Sequence, residues 1–501
     1  MNTDVSQATS MDFSKKSGKN KDNLVDTSPC QSIIKSGKNR NNVCGRKNCQ
    51  FHNKTMDKQV SVSKSEIKSI PPVKAEMTTI TICTEENPQV NEVEFILKYL
   101  GVPCNVINLT SSVKGNIWDG TFLAETDNPS VKVVIILVKG SGSFVDYIVY
   151  DNVNPDEKTV PILLMESTKT TDSESRNSAI NQRFTKFAVA KQRFPSTPLI
   201  LYYNTEQVTN TATSLFGRRL LTTFGVKAYD VKGKNLLTDS PPFTSVEEIM
   251  KEKNSFKEKK GNVSVKITLS APTYTISAKL SKGKKTTICH DPNKGLVIGI
   301  ASAIYILDKD AKFIITNHCV AVDQIKKTTD KFWYANSAYD LKLEGFNVSS
   351  KGIACPAGYW SRDSKSEKAS TINYQHHMEK NGWTTVYHNH SSSARSYFMD
   401  SHGKEHQVPK DLTIPDVVMV NKEKRCIQVC EGKILKDYIL GIKQLENLTN
   451  FLKYLKTHYM GYSVELGLCL YGNTFREIES IKKKLSYPVF FAMDSTGTLY
   501  Y

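Results

Sequence analysis

The chain has 501 residues, too many for one ordinary hydrophobic core, so two folded domains plus a tail are expected. Hydrophobic residues make up 39% and charged residues 23%, and no run of about eighteen apolar residues occurs, so no transmembrane helix is expected. The formal net charge of +17 points to a polyanionic partner, nucleic acid first and an anionic membrane surface second.

The opening stretch MNTDVSQATSMDFSKKSGKN lacks the apolar middle of a secretory signal. The eleven cysteines are odd in number and mostly sit alone in apolar runs, which predicts a reducing intracellular compartment, cytoplasm or nucleus, without a disulfide framework. Residues 1–76 are rich in Lys, Asn and Ser and repeat KSGKN at Lys16 and Lys35. They carry too little apolar surface to offset chain entropy, so a disordered basic tail is expected. Within it, Cys30, Cys44, Cys49 and His52 offer three thiolates and an imidazole, a set suited to tetrahedral Zn2+ in a knuckle over 30–52. The arrangement resembles small Cys/His modules appended to proteins of large DNA viruses, which implies a virus-encoded protein.

From residue 77 to 245 the pattern is that of an α/β domain. ITICT is strand-like, and NEVEFILKYLG is an amphipathic helix with Gly101 as its stop. NVINLT, VKVVIILV, FVDYIVY and VPILLMEST are β-branched runs separated by turn signals. A long helix from Glu174 to about Arg193, the strand PLILYYN, the helix TATSLFGRRLLTTFG and the strand VKAYD complete it. Residues 246–262 are charged and follow Pro-Pro, which predicts an interdomain linker.

The second domain is expected over 263–501. NVSVKITLS and YTISAKL suggest a hairpin, KGLVIGIASAIYIL a buried helix and AKFIITN a strand. HDPNKG ahead of that helix reads as a cap, because it lacks the GxxxxGK[ST] spacing of a nucleotide loop. From Glu367 the order of the first domain returns: the helix EKASTINYQHHMEK stopping near Gly382, the strand TTVYHNH, the hairpin PDVVMV–CIQVCEGK, and one long helix LGIKQLENLTNFLKYLKTHY. VELGLCLYG, REIESIKKKL and PVFFAMD close the chain. The four histidines between Tyr374 and Ser396 are expected on a polar surface facing DNA.

The hairpin sets the chemistry. Residues two apart on a strand share a face, so Glu431 and Lys433 point the same way. Asp416 opens the preceding strand, and an antiparallel return across the turn NKEKR brings it beside Glu431. Two such carboxylates repel unless a hard divalent cation such as Mg2+ neutralises them. The cation can polarise a phosphoryl oxygen, and a neighbouring ammonium offsets negative charge in the transition state.

Pro415-Asp416 and Glu431-Gly432-Lys433 in this strand-turn-strand setting resemble the PD-(D/E)XK nuclease superfamily, over roughly residues 367–501. The resemblance implies that Asp416 and Glu431 bind Mg2+, that Lys433 assists the nucleophile, and that Gln444 on the next helix contacts substrate or the lysine. The first half carries an altered copy: Asp146 before a turn and Glu166 on the return strand, with Thr168 where Lys433 stands and Lys169 one residue beyond. Asp146 and Glu166 are candidate Mg2+ ligands there, and Lys169 is the candidate catalytic lysine. The segment TTDSESRNSAINQRFTKF adds Arg176, Gln182, Arg183 and Lys186, with Gln182 and Lys186 on one helical face, as candidates for DNA contact. This half looks like restriction-endonuclease-type sequences.

The expected fold class is therefore α/β: two restriction-endonuclease-like domains with mixed central sheets behind a basic tail. The expected activity is Mg2+-dependent cleavage of double-stranded DNA, in a type II restriction manner, by a monomer or a homodimer. The alternatives are a structure-specific viral replication or repair nuclease, and a non-catalytic nucleic-acid-binding protein.

Overall fold

The structure, a computed structural model, describes residues 79–140, 144–168, 179–204, 212–255, 265–270, 273–278, 282–283, 286–289, 291–317, 341–344, 361–388, 397–409 and 412–501. The basic tail, with Cys30, Cys44, Cys49 and His52, lies outside the described residues.

In chain order the first half runs β1 (Thr79–Thr84), α1 (Val90–Tyr99), β2 (Val106–Lys114), β3 (Ile117–Thr126), β4 (Lys132–Leu137), β5 (Tyr147–Tyr150), β6 (Leu163–Thr168), α2 (Ala179–Arg193), β7 (Leu199–Tyr203), α3 (Ala212–Phe224), β8 (Val226–Asp230) and α4 (Val246–Ser255). The strands form one mixed sheet in the order β2-β3-β4-β1-β5-β6-β7-β8. Strands β5 and β7 are buried along their whole length, which is why YIVY and LILYY are unbroken apolar runs. Strand β3 is not among the expected elements: IWDGTFLAET interleaves polar residues and turns at Gly120, where φ is +88°. The stretch expected as a linker begins instead as α4. Its Val246 and Ile249 are buried, and Arg219 of α3 pairs with Glu248 and Glu252.

The next block contains β9 (Val265–Ser270), β10 (Thr273–Ala278), β11 (Lys282–Gly283), β12 (Thr286–Cys289), α5 (Asp291–Leu307), β13 (Lys312–Asn317) and β14 (Leu341–Glu344). Strands β9 and β10 form the expected hairpin, at one edge of a small sheet ordered β14-β13-β10-β9. Helix α5 is apolar on nearly every side, and Val297, Ile298, Ile300, Ala301, Ala303 and Ile304 are fully buried. They join one hydrophobic cluster with Phe184 and Phe187 of α2 and Leu220 of α3. This block, expected in the second domain, therefore packs on the helices of the first sheet.

The contact between α5 and α2 is close. A Cβ on Gly299 would lie 2.6 Å from the Phe184 ring. Gly299→Val is expected to cost about 1–3 kcal/mol by overpacking and to displace α2; urea denaturation measures the first effect.

The third block runs α6 (Glu367–Lys380), β15 (Thr384–His388), β16 (Tyr397–Met399), β17 (Glu405–Gln407), β18 (Val417–Asn421), β19 (Cys426–Ile434), α7 (Tyr438–Glu446), α8 (Thr449–His458), β20 (Ser463–Tyr471), α9 (Phe475–Lys482), β21 (Val489–Met493) and β22 (Leu499–Tyr500). Its sheet is ordered β15-β18-β19-β20-β21-β22. The single long helix expected after β19 is two, α7 and α8, divided at Asn447, which caps α7 with φ −82° and ψ 0°. Asn competes for backbone hydrogen bonds and is a poor interior helix residue.

The order β1-β5-β6-β7-β8 repeats as β15-β18-β19-β20-β21. In both, the first two junctions are antiparallel and the last two parallel. The described residues belong to one compact unit, and α6 accounts for part of that. Every residue from Ala369 to His376 is buried, an all-round burial that an amphipathic surface helix would not show. Its residues share a cluster with strands of both large sheets. Several of its polar groups bond across the junction: the Asn87 amide donates to Gln375 at 2.9 Å, and the Ser111 hydroxyl to Asn373 at 2.5 Å. His376, expected on a DNA-facing surface, is instead buried 3.0 Å from Asn87 Oδ1, and burial lowers its pKa to about 4, so its ring is neutral. Among the described residues, no helix is long and apolar enough to cross a membrane.

Candidate active site

The repeated strands place the same three positions together twice. Tyr147 pairs with Met165 and Val417 with Cys430, so the preceding aspartates, Asp146 and Asp416, stand beside the following glutamates, Glu166 and Glu431. In each copy the aspartate is locked by the next strand's backbone. Ser167 N–H donates to Asp146 Oδ2 at 2.9 Å, and Gly432 N–H donates to Asp416 Oδ2 at 2.8 Å. Charge-assisted bonds of this kind fix a carboxylate's direction as well as its charge.

In the second copy, Lys433 reaches back into the acidic group. Its Nζ lies 3.2 Å from Glu431, 3.7 Å from Asp416 and 3.6 Å from Glu367. Glu367 is the first residue of α6, which Ser366 caps by accepting from Ala369 N–H. Gly432 allows this approach, because a Cβ there would sit 2.4 Å from Thr371 of α6. Desolvation first, and Asp416 second, push the Glu431 carboxyl up to about 9. Against the desolvation that opposes it, Glu431, Asp416 and Glu367 hold the Lys433 ammonium above its ordinary pKa.

In the first copy the ammonium comes from a helix. Lys186 of α2 donates to Asp146 Oδ1 at 2.8 Å and to Glu166 Oε2 at 2.7 Å. Arg183, one turn earlier, lies 3.3 Å from Glu166 Oε1 and donates to Thr168 Oγ1 at 2.9 Å. Thus Thr168 holds the strand position that Lys433 occupies in the second copy, and the positive charge is delivered from across the sheet face. Desolvation, then Asp146, raise the Glu166 carboxyl to about 8. Despite desolvation, Asp146 and Glu166 hold the Lys186 ammonium well above its usual value.

The first copy also gathers Glu85 and Glu86. Their carboxylates lie with that of Asp146 within 4.8 Å of one another. They follow β1, whose Thr84 pairs with Tyr147, so the end of β1 meets the start of β5. Glu86 is exposed to solvent at its outer face. Desolvation, and Asp146 after it, lift its carboxyl to about 8.

Several expected positions change. Lys186 and Arg183, expected on DNA, are engaged with Asp146, Glu166 and Thr168. Gln444, expected on substrate or lysine, is exposed on α7; the residue of that helix facing Lys433 is Gly441, where a Cβ would come 2.9 Å from Lys433 Cγ. Lys169 and Arg176 lie outside the described residues, as does the side chain of Gln182 on α2. Glu85, Glu86 and Glu367 are the additions. A helix start at Glu367 is legible in Ser-Glu ahead of an apolar pattern, but its reach to Lys433 is not.

In the first copy Glu85, Glu86 and Asp146 bring three carboxylates close enough together to hold a hard divalent cation. Three carboxylates surround one ammonium in the second copy. In each copy a buried glutamate has its ionised form disfavoured beside a second acid, and a divalent charge would relieve that penalty. No family model matches the chain, and no curated protein or solved structure matches it.

Proposed function

We propose that the protein is a divalent-cation-dependent endonuclease acting on double-stranded DNA. The observation that carries this reading is the duplicated site: aspartate before a strand, glutamate on its neighbour, one backbone N–H fixing the aspartate, and a lysine ammonium within 3.7 Å of both acids. The net charge of +17 suits a polyphosphate substrate.

Asp416, Glu431 and Glu367 would hold Mg2+ in one core, and Asp146, Glu166, Glu85 and Glu86 in the other. The bound cation would supply charge neutralisation at a phosphodiester and acidify a water. Lys433 would direct its ammonium at the attacking oxygen or at the charge growing on the phosphoryl group. The Ser167 and Gly432 N–H groups keep the aspartates from rotating away as a substrate enters. Two such cores in one chain would serve the two strands of a duplex without a second subunit, in the manner of type II restriction enzymes. A zinc-bearing tail over Cys30–His52 would add backbone affinity.

A second reading has its own support: Lys186 sits within 2.8 Å of both first-core acids, as in a purely structural ion pair. In that case the first core would bind DNA and the second would cut it. The discriminating assay uses supercoiled plasmid and Mg2+ in a Glu431→Gln background, where only the first core can act. Lys186→Ala is expected to lower the remaining nicking on the order of 10²-fold, while Lys169→Ala leaves it unchanged. Absence of nicking in the Glu431→Gln background favours the second reading. Loss with Lys169→Ala but not Lys186→Ala places the catalytic lysine on the segment after β6.

A further inference from the structure

We propose that Asp400, His406 and His458 form a binding site for one transition-metal ion, with zinc the fitting choice, and that the ion clamps the β16–β17 hairpin to the C-terminal end of α8. The three residues each offer one ligand atom, and these atoms all lie within 4.8 Å of one another. A four-coordinate zinc ion with bonds of about 2.0–2.2 Å spaces its ligand atoms about 3.5 Å apart, so small side-chain rotations complete the set. Two imidazoles and one carboxylate are borderline donors. They select zinc and its neighbours over the Mg2+ that oxygen-only sets prefer.

Each ligand is already aimed. Asp400 closes the hairpin turn: its Oδ1 accepts from His402 N–H and Lys404 N–H, both at 2.9 Å. That leaves Oδ2 facing His406 Nε2 at 2.7 Å. Asp400 follows β16 and His406 lies within β17, paired with Phe398, while His458 is the last residue of α8 and arrives from a distant part of the chain. Its ring lies 4.5 Å from that of His406, 4.7 Å from that of Tyr454 and 5.7 Å from that of Phe398. His406 and His458 are only partly buried, so an ion has a route in. Tyr459 already ties the two elements through its hydroxyl to Met399 O at 2.8 Å, which orders the frame the ion would lock.

The site is separate from the acidic cores. Helix α8 ends just before Ser463, whose partner Cys426 begins β19, whereas Glu431 lies toward the other end of that strand. A clamp here would stabilise the hairpin that leads into the Asp416 strand without touching the acids.

The test uses the full chain, stripped of metal and reloaded with Zn2+. Bound zinc is counted in the wild type, His406→Ala, His458→Gln and Asp400→Asn, each with and without Cys44→Ser to account for the tail. One equivalent is expected to be lost in His406→Ala and in His458→Gln whether or not Cys44 is present. Zinc is expected to raise the melting temperature of the wild type and of Cys44→Ser but not of His458→Gln, which still fills the space beside Tyr454. The Cys44→Ser protein loaded with Co2+ is expected to show the visible spectrum of a cobalt site without thiolate ligands. Retention of the equivalent in either histidine variant, or absence of that cobalt spectrum in a protein whose fold is intact, overturns the assignment.

Discussion

Wild-type protein with Mg2+ is expected to convert supercoiled plasmid to linear DNA, and Glu431→Gln to stop at the nicked circle. The expected loss at that core is on the order of 10²–10³-fold. Glutamine keeps the shape of a side chain that is 2% exposed, so the fold should stand. What is lost is a negative charge beside Asp416 and the nearest carboxylate partner of Lys433, at 3.2 Å. The remaining acids, Asp416 and Glu367, would hold a divalent cation more weakly, and Lys433 would shift toward them. Glu166→Gln is expected to arrest the other core in the same way, because Glu166 is bonded at 2.7 Å by Lys186 and 1% exposed. The double variant should neither nick nor linearise. Full linearisation by the double variant would make these carboxylates structural ion pairs and end their assignment as the active site, whereas no cutting by the wild type would end the nuclease reading. If Glu166→Gln alone abolishes cutting while Glu431→Gln does not, activity resides in the first core.

The sequence made the local part of this site legible and hid the nonlocal part. Asp416, Glu431 and Lys433 fall within eighteen residues of one hairpin, so alternation alone places them together. Asp146 and Glu166 are joined the same way. Lys186 is different: it meets Glu166 only because α2 packs back over β6, and the close seat of Phe184 on Gly299 of α5 helps fix that helix. Periodicity could put Lys186 on a helix face but could not say which strand the face covers. Glu85 and Glu86 depend on β1 pairing with β5 across sixty residues of intervening chain, a choice no local pattern encodes. The same limit explains α6. Its sequence, EKASTINYQHHMEK, looks like an ordinary polar surface helix, and only its position between two sheets buries Asn373, Gln375 and His376. The residues that misled were polar ones satisfied by distant partners, and burial of such groups is a property of the pairings and not of the residues.

Metal-free protein is expected to lose stability as pH rises from about 5 to 9, and Mg2+ to restore more of it at the upper end. The sign follows from the two glutamates. Their ordinary pKa is 4.5, and in the folded chain Glu166 stands at about 8 and Glu431 at about 9, chiefly by desolvation and then by the neighbouring aspartate. Between the ordinary and the folded values, the unfolded chain has released a proton that the folded chain keeps. Folding therefore takes up protons, and stability falls by roughly 1.4 kcal/mol per pH unit for each such group. The contribution is fully present below pH 4.5, where both states are protonated, and is lost as pH climbs through the folded values. A divalent cation competes with those protons and binds the ionised form, so its stabilising effect should grow with pH. Melting temperatures from pH 5 to 9, with Mg2+ and with EDTA, measure both slopes. Glu166→Gln/Glu431→Gln removes two of the titrating groups and leaves Glu86, which also stands at about 8, so it should make the EDTA curve shallower, melt above the wild type near pH 8, and gain less from Mg2+. A parallel pair of curves for wild type and double variant, with equal gains from Mg2+, would mean that these acids neither carry the proton nor hold the ion, whatever the cleavage assay shows.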